Sequence, residues 1–288
     1  VEEGVTQTGQ EVTGIVADNF VKETTTACVM CHQCGVAVKP VDVGMVKDTT
    51  ARTDLKVMYG TRNMTKGPAM TREEAVKGIE AGIAMAEELK AQGYRLLATG
   101  EMGIGNTTTS SAVISVLTGR DPEVVKGRGA GLDHAGLRRK IEVIKEGIRI
   151  HRPDPSDGID VLSKVGGLDL AALTGFYLGC AYWRIPVVLD GLITGAAALA
   201  AVKLCPAVAD YLLASHVSAE PAGQAVLSSL GLKAAIHAGM FLGEGTGAAA
   251  FFPMLDMALT IYSKMDTFQD IQVKPYCHFE EDKNEDKE

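Results

Sequence analysis

Residues 94–119 read YRLLATGEMGIGNTTTSSAVISVLTG, and this stretch restricts the fold more than any other in the chain. A short apolar run passes directly into a glycine loop, and the loop passes directly into an apolar helix. A strand that leaves through a loop into a helix is the repeating unit of a parallel sheet, because the next parallel strand has to be reached by a crossover. The surrounding sequence repeats the theme. Short apolar runs at 36–43, 94–99 and IPVVLDG, which ends in Asp190, alternate with longer amphipathic stretches; a further short strand is expected at 55–59. TREEAVKGIEAGIAMAEELKAQG is the clearest helix, opened by a Thr71/Glu74 capping box and closed by Gly93. GLRRKIEVIKEGIRIH, IDVLSKVGG, LDLAALTGFYLGCAYW, LITGAAALAAVKLC, PAVADYLLA and PAGQAVLSSLG are expected as helices, and SHVSAE as a short strand or loop. The predicted fold class is α/β: an open, doubly wound, mostly parallel sheet with helices on both faces. In such a sheet the ligand site lies beyond the C-terminal strand ends.

Composition removes several classes of function. A net charge of −8 leaves no basic face for nucleic acid or an anionic membrane. The most apolar region, TGFYLGCAYWRIPVVLDGLITGAAALAAVKLC, is interrupted by Arg184, Pro186 and Asp190, so it reads as buried helix, strand and helix and not as a membrane span. No signal peptide is visible. Cys28, Cys31 and Cys34, with His32, form a C-x-x-C-H string that is also the haem-attachment pattern. Their helical spacing after Val12, Ile15, Val16 and Phe20, in a helix ending at Gly35, favours small core residues over a metal, haem or redox-active thiols. Cys180, Cys205 and Cys277 are scattered, as expected of a reducing cytoplasmic setting.

The loop GEMGIGNTTTSS supplies the chemistry. It is neither G-x-G-x-x-G, because Thr108 stands where the third glycine belongs, nor a Walker sequence, since no Gly-Lys-Ser/Thr follows. A nicotinamide-dependent oxidoreductase is disfavoured on the same ground. Gly103 and Gly105 still allow backbone N–H groups to approach an anion, with Asn106, Thr107 and a helix N-terminus behind them; a glycine turn with a hydroxyl cap would use the same residues without any ligand. Glu101, set against such a cradle, needs a task such as accepting a hydroxyl or a proton. A second glycine-flanked carboxylate, Glu244 in FLGEGTGAAAFF, lies beside Phe241 and Leu242 and suits a general base. Lys140 is in reach of a phosphate from the next helix, although a lysine on an amphipathic helix is usually solvated. Two carboxylates and a phosphate site without a metal-ligand pattern point to transfer chemistry on a phosphorylated sugar; no metal and no cofactor are implied.

GEMGIGNTTTSSA, GRGAGLD, DGIDVLSKVGGLDLAALTGFYLG, PVVLDGLITGAAALAA, SHVSAE and LGEGTGAA occur in an order that resembles the nicotinate-nucleotide–dimethylbenzimidazole phosphoribosyltransferases over about residues 2–265. The resemblance implies the reaction: the 5-phosphoribosyl group passes from nicotinate mononucleotide to an aromatic lower-ligand base of cobamides, giving the α-riboside 5′-phosphate and nicotinate. It places the catalytic glutamate on Glu244 and a second active-site glutamate on Glu101. It puts the phosphate and nucleotide contacts on Gly103, Gly105, Asn106, Thr107, Gly129, Ala130, Lys140, Gly166, Gly167 and Ser218. The acceptor pocket falls on Thr8, Val16, Met102 and Leu242. Val16 is apolar where relatives carry glutamine, which would open the pocket to phenols as well as dimethylbenzimidazole.

The resemblance also implies a dimer, either of identical chains or with a paralogous subunit, and the apolar helices between residues 169 and 213 are the candidate surface. In the paired case the alternative role is a non-catalytic nucleotide-binding subunit. The family carries a further region before the position of Val1. The expected division is therefore an N-terminal helical part (1–34), a Rossmann-like nucleotide-binding domain (35–245), a C-terminal helix of a small helical domain (246–268) and a charged, disordered tail (269–288).

Overall fold

The computed structural model describes residues 1–129 and 131–276, which fall into two compact units divided between Phe251 and Phe252. Ala130, Cys277 and the acidic end of the tail lie outside the described residues. In chain order the helices are α1 (Glu11–Val21), α2 (Thr26–Gln33), α3 (Arg72–Ala91), α4 (Asn106–Thr118), α5 (Pro122–Val125), α6 (His134–His151), α7 (Gly158–Val165), α8 (Leu168–Tyr182), α9 (Leu192–Leu204), α10 (Gly223–Ser229) and α11 (Thr246–Lys264). Among the described residues no helix is long and apolar enough to cross a membrane.

The α/β class holds, with a small parallel sheet among many helices. Strands β1 (Leu97–Ala98), β2 (Val187–Leu189) and β3 (Leu212–Ala214) pair in that order, with Leu97 opposite Val187 and Val188 opposite Leu213. All three residues of β2 are buried, which explains its unbroken apolar run: a parallel strand covered on both faces has no polar side. The unit at 94–119 forms as expected, and all three strands point their C-terminal ends at the same group of loops.

Four expectations need correction. The run at 36–43 contributes only an isolated bridge between Val41 and Arg52. Pro40 lacks an N–H for a ladder, and the Asp42 carboxylate takes the N–H groups of Gly44 and Met45 at 2.9 and 2.8 Å, curling the chain into a turn. No strand forms at 55–59; Lys56 instead buries its ammonium against Asp42 at 3.0 Å. PAVADYLLA is a 3-10 turn over Pro206–Tyr211 followed by β3, because LLA gains more by pairing with β2 than by extending a helix begun at a proline. The N-terminal helix is likewise two helices: Glu23 turns left-handed at φ 59°, and Thr25 caps α2 by accepting from the Cys28 N–H at 3.3 Å.

Helix α3 obeys its sequence closely. Glu74 N–H donates to the Thr71 hydroxyl, the Glu74 carboxylate accepts from Thr71 N–H, and Gly93 at φ 90° ends the helix. It packs along α8 through glycines on both sides. A Cβ on Gly82 would lie 1.8 Å from the Ala172 carbonyl oxygen, and one on Gly175 would lie 1.8 Å from that of Ile79. Gly175→Ala is therefore expected to lower the melting temperature by about 4–8 °C, the result of roughly 2 kcal/mol of overpacking, despite alanine's better helix propensity. An unchanged melting curve would refute the close approach. Within the single chain the apolar residues of α8 and α9 are mostly buried in the core, and Tyr182 at the end of α8 is exposed. The second unit, taken alone, exposes Met257, Tyr262 and Met265.

Candidate active site

Two glycine loops meet at the C-terminal ends of β1 and β2. Gly100 follows β1, and a Cβ there would lie 2.5 Å from the Glu244 carbonyl oxygen and 2.7 Å from Gly245 N. The Glu244 N–H donates to the Glu101 carbonyl at 3.2 Å. Gly243, Glu244 and Gly245 all adopt positive φ, at 86°, 63° and 91°. Glycine accepts this freely, whereas glutamate does so at a cost of roughly 1 kcal/mol, strain of a kind that concentrates at functional positions. Asp190, at the end of β2, holds the loop by accepting from Gly245 N–H at 3.1 Å and Gly247 N–H at 2.7 Å. His216, beyond β3, lies so close that a Cβ on Gly247 would be 1.9 Å from its Nδ1. Close backbone packing thus brings Glu101 and Glu244 together from distant parts of the chain.

The two carboxylates differ in surroundings. Glu244 accepts from the Ala27 N–H at 3.4 Å, in the first turn of α2, where the helix dipole favours negative charge. This corrects the apolar setting read from sequence: Phe241 and Leu242 are 72% and 57% exposed and do not wall the carboxylate in. Glu101 accepts from the Asn106 side-chain amide, whose nitrogen also donates to Asp169 Oδ2 at 2.9 Å. Burial, reinforced by the negative charge of Asp169 and opposed by the Asn106 hydrogen bond, pushes the Glu101 carboxyl up to about 8. Burial likewise raises Asp169 and Asp190 and lowers His216.

The cradle forms at the start of α4. Gly105 is its N-cap at φ 94°, followed by Asn106 and Thr107. Lys140 is fully buried, not solvated as its amphipathic helix suggests. Its ammonium donates to Thr107 Oγ1 at 2.9 Å and to the Gly127 carbonyl at 3.0 Å, and burial lowers its pKa to about 8, opposed by Glu220. Gly129 packs against the same threonine, where a Cβ would come within 2.5 Å of Thr107 Oγ1. Gly129 N–H donates to Glu220 at 3.2 Å, and Ser218 Oγ accepts from Glu220 N–H at 3.3 Å, so GRGAG and SHVSAE meet. Gly166 follows α7, and Gly167 is the N-cap of α8; a Cβ on Gly167 would lie 2.5 Å from Asp169 and 3.5 Å from Thr109 Oγ1. One buried cation and two helix N-termini can receive an oxyanion here.

The acceptor-side residues are less tightly gathered. Thr13 on α1 accepts from the Ile104 N–H at 3.0 Å, pinning that helix to the glycine loop, and half-buried Val16 lies one turn further on the same face. Met102 adjoins Glu101, half-buried Thr8 precedes α1, and Leu242 adjoins Gly243. Cys28 and Cys31 are buried in α2, the helix that receives Glu244, and burial raises Cys31 to about 11, as suits packed thiols. Among the described residues no cluster of His, Cys, Asp and Glu has the makings of a metal site. Sequence reasoning missed Asp169, Asp190, His216 and Glu220. Asp169 in a first helical turn reads as an ordinary dipole partner, and only the fold reveals Asn106 beside it.

A family model described as phosphoribosyltransferase matches residues 1–273. The nicotinate-nucleotide–dimethylbenzimidazole phosphoribosyltransferase of Ruminiclostridium cellulolyticum is 48% identical over 278 residues, spanning 96% of this chain and 79% of its own length. That of Desulforudis audaxviator is 48% identical over 275 residues, spanning 94% and 78%. The crystal structure of CobT from Thermus thermophilus superposes with a TM-score of 0.90 at 39% identity, covering 96% of this chain and 83% of that one. The chain belongs to the family of nicotinate-nucleotide–dimethylbenzimidazole phosphoribosyltransferases.

Proposed function

We propose that this chain transfers the 5-phosphoribosyl group of nicotinate mononucleotide to dimethylbenzimidazole in cobamide lower-ligand synthesis, by direct displacement with inversion at C1′. The observation that carries this reading is the joining of the Glu101 and Glu244 loops beside a cradle anchored by Lys140. The 5′-phosphate sits at the α4 N-terminus with Gly103, Gly105, Asn106, Thr107 and Lys140 around it. The acceptor nitrogen attacks C1′ as the C1′–N bond to nicotinate breaks. The bond's electron pair stays on the pyridine nitrogen, so the cationic ring leaves without positive charge on that nitrogen. Glu244 takes the proton that the acceptor loses, and the Ala27 N–H at the α2 N-terminus orients its carboxylate for that task.

Thr8, Val16, Met102 and Leu242 line the acceptor side, and the apolar Val16 extends the acceptor class to phenols. A doubly wound Rossmann-like sheet, a dimeric assembly and a cytoplasmic setting belong to the same reading. Incubation with nicotinate mononucleotide and dimethylbenzimidazole or phenol, followed by chromatography, tests it. The expected result is stoichiometric release of nicotinate and the α-riboside 5′-phosphate. A product of retained configuration would contradict direct displacement, and no release with either acceptor would contradict activity of this chain alone.

A further inference from the structure

A carboxylate beside a phosphate cradle has to be reconciled with the anion that the cradle takes. Asn106 has two amide hydrogens, and its nitrogen faces two carboxyl groups: Glu101 Oε2, at close range, and Asp169 Oδ2 at 2.9 Å. Asp169 is additionally bonded through Oδ1 to the Leu170 N–H at 2.9 Å, in the first turn of α8. The helix N-terminus makes Asp169 the better-stabilised anion of the pair. Glu101 has no such support, and its other oxygen, Oε1, faces the loop of Glu244: a Cβ on Gly243 would lie 2.7 Å from it.

We propose that Asp169 is a positioning residue of this site, its carboxylate held beside Glu101 by the Asn106 amide they share, so that its negative charge keeps Glu101 protonated and Glu101 presents Oε1–H as a neutral hydrogen-bond donor to an oxygen of the anionic nucleotide. This rests on the reading of the site as a nucleotide phosphoribosyl site. The charged groups acting on Glu101 come from three directions: Asp169 on α8, Asp190 after β2 and Glu244 on the facing loop, all of one sign. Each opposes ionisation of Glu101, and the direction of its shift, up to about 8, agrees with this arrangement. The carboxylate in the cradle then adds no negative charge beside the phosphate near neutral pH.

The test is a carboxyl-carbon NMR titration of the full chain labelled with [δ-13C]glutamate, without ligand. The expected result is one glutamate signal titrating near pH 8 in the wild type, absent in Glu101→Gln and moved down by about one unit in Asp169→Asn, where the neighbouring charge is gone. Asp169→Glu keeps the charge and is expected to return the signal toward its wild-type midpoint. A Glu101 signal titrating in the ordinary carboxylate range overturns the proposal, and so does one that Asp169→Asn leaves in place. If the Asp169 variants fail to fold, the wild-type signal assigned with Glu101→Gln still decides whether Glu101 is protonated. None of these readouts needs turnover, so failure of the phosphoribosyl reading shows separately, as absent nicotinate release.

Discussion

Glu244→Gln is expected to lower kcat for nicotinate release by about two to four orders of magnitude, the usual worth of a positioned general base. Glutamine keeps the size of the side chain, and its amide oxygen can still accept from the Ala27 N–H that the carboxylate accepts from at 3.4 Å. The left-handed backbone at φ 63° and the docking of Gly245 and Gly247 on Asp190 involve no atom of the replaced group. Folding and nucleotide affinity should therefore change little, and the loss should appear in kcat and not in KM. The measurement is steady-state nicotinate release beside calorimetric binding of nicotinate mononucleotide to both proteins. Turnover within tenfold of the wild type would remove Glu244 from the base role. A wild-type chain that binds the nucleotide but is as inert as the variant would favour the nucleotide-binding subunit of a paired enzyme.

Much of this site was legible in the sequence because the signals were local. Gly105 before Asn106 and Thr107 is a helix start that follows a strand, and the glycines around Glu244 announce a loop that helix or strand could not tolerate. The resemblance then assigned the roles. The charge states depend on distant partners, which sequence does not display. Lys140 reads as a surface lysine because its helix is amphipathic, yet it is fully buried between Thr107 and Gly127. Glu244 reads as apolar from its neighbours, yet its partner is the N-terminus of a helix that precedes it by more than two hundred residues. The same limit hid the small size of the sheet. Val41 and Leu212 lie in runs of similar character, but only the second has β2 beside it, while Asp42 and Pro40 turn the first away.

Lys140→Met should stabilise the protein and cripple nucleotide binding at once. Burial lowers the Lys140 pKa from 10.5 to about 8, so the unfolded chain binds more protons than the folded one between those values. On this group's account stability rises with pH across that window, and below about pH 8 the cost of burying the ammonium is fully present. The shift corresponds to about 3 kcal/mol. Methionine removes that cost but leaves the Gly127 carbonyl without the ammonium it accepts from at 3.0 Å, so the net gain near pH 7 is about 1–2 kcal/mol, or about 2–6 °C in melting temperature. Binding moves the opposite way, because a phosphate in the cradle loses its buried counter-charge. Affinity for nicotinate mononucleotide is expected to fall by about 30- to 1,000-fold, the equivalent of 2–4 kcal/mol. In the wild type the same affinity should weaken above about pH 8 as the free amine loses its charge and Glu101 ionises; the variant should lose the lysine's share of this dependence and keep that of Glu101. Thermal melts at pH 7 and 10 beside calorimetric titrations decide the matter. A variant that melts lower at pH 7 would mean the lysine is structural, and one that binds as tightly as the wild type would mean the phosphate lies elsewhere. Both effects follow from one arrangement: a buried ammonium in the floor of the cradle, offset only in part by Glu220, which a substrate phosphate would neutralise.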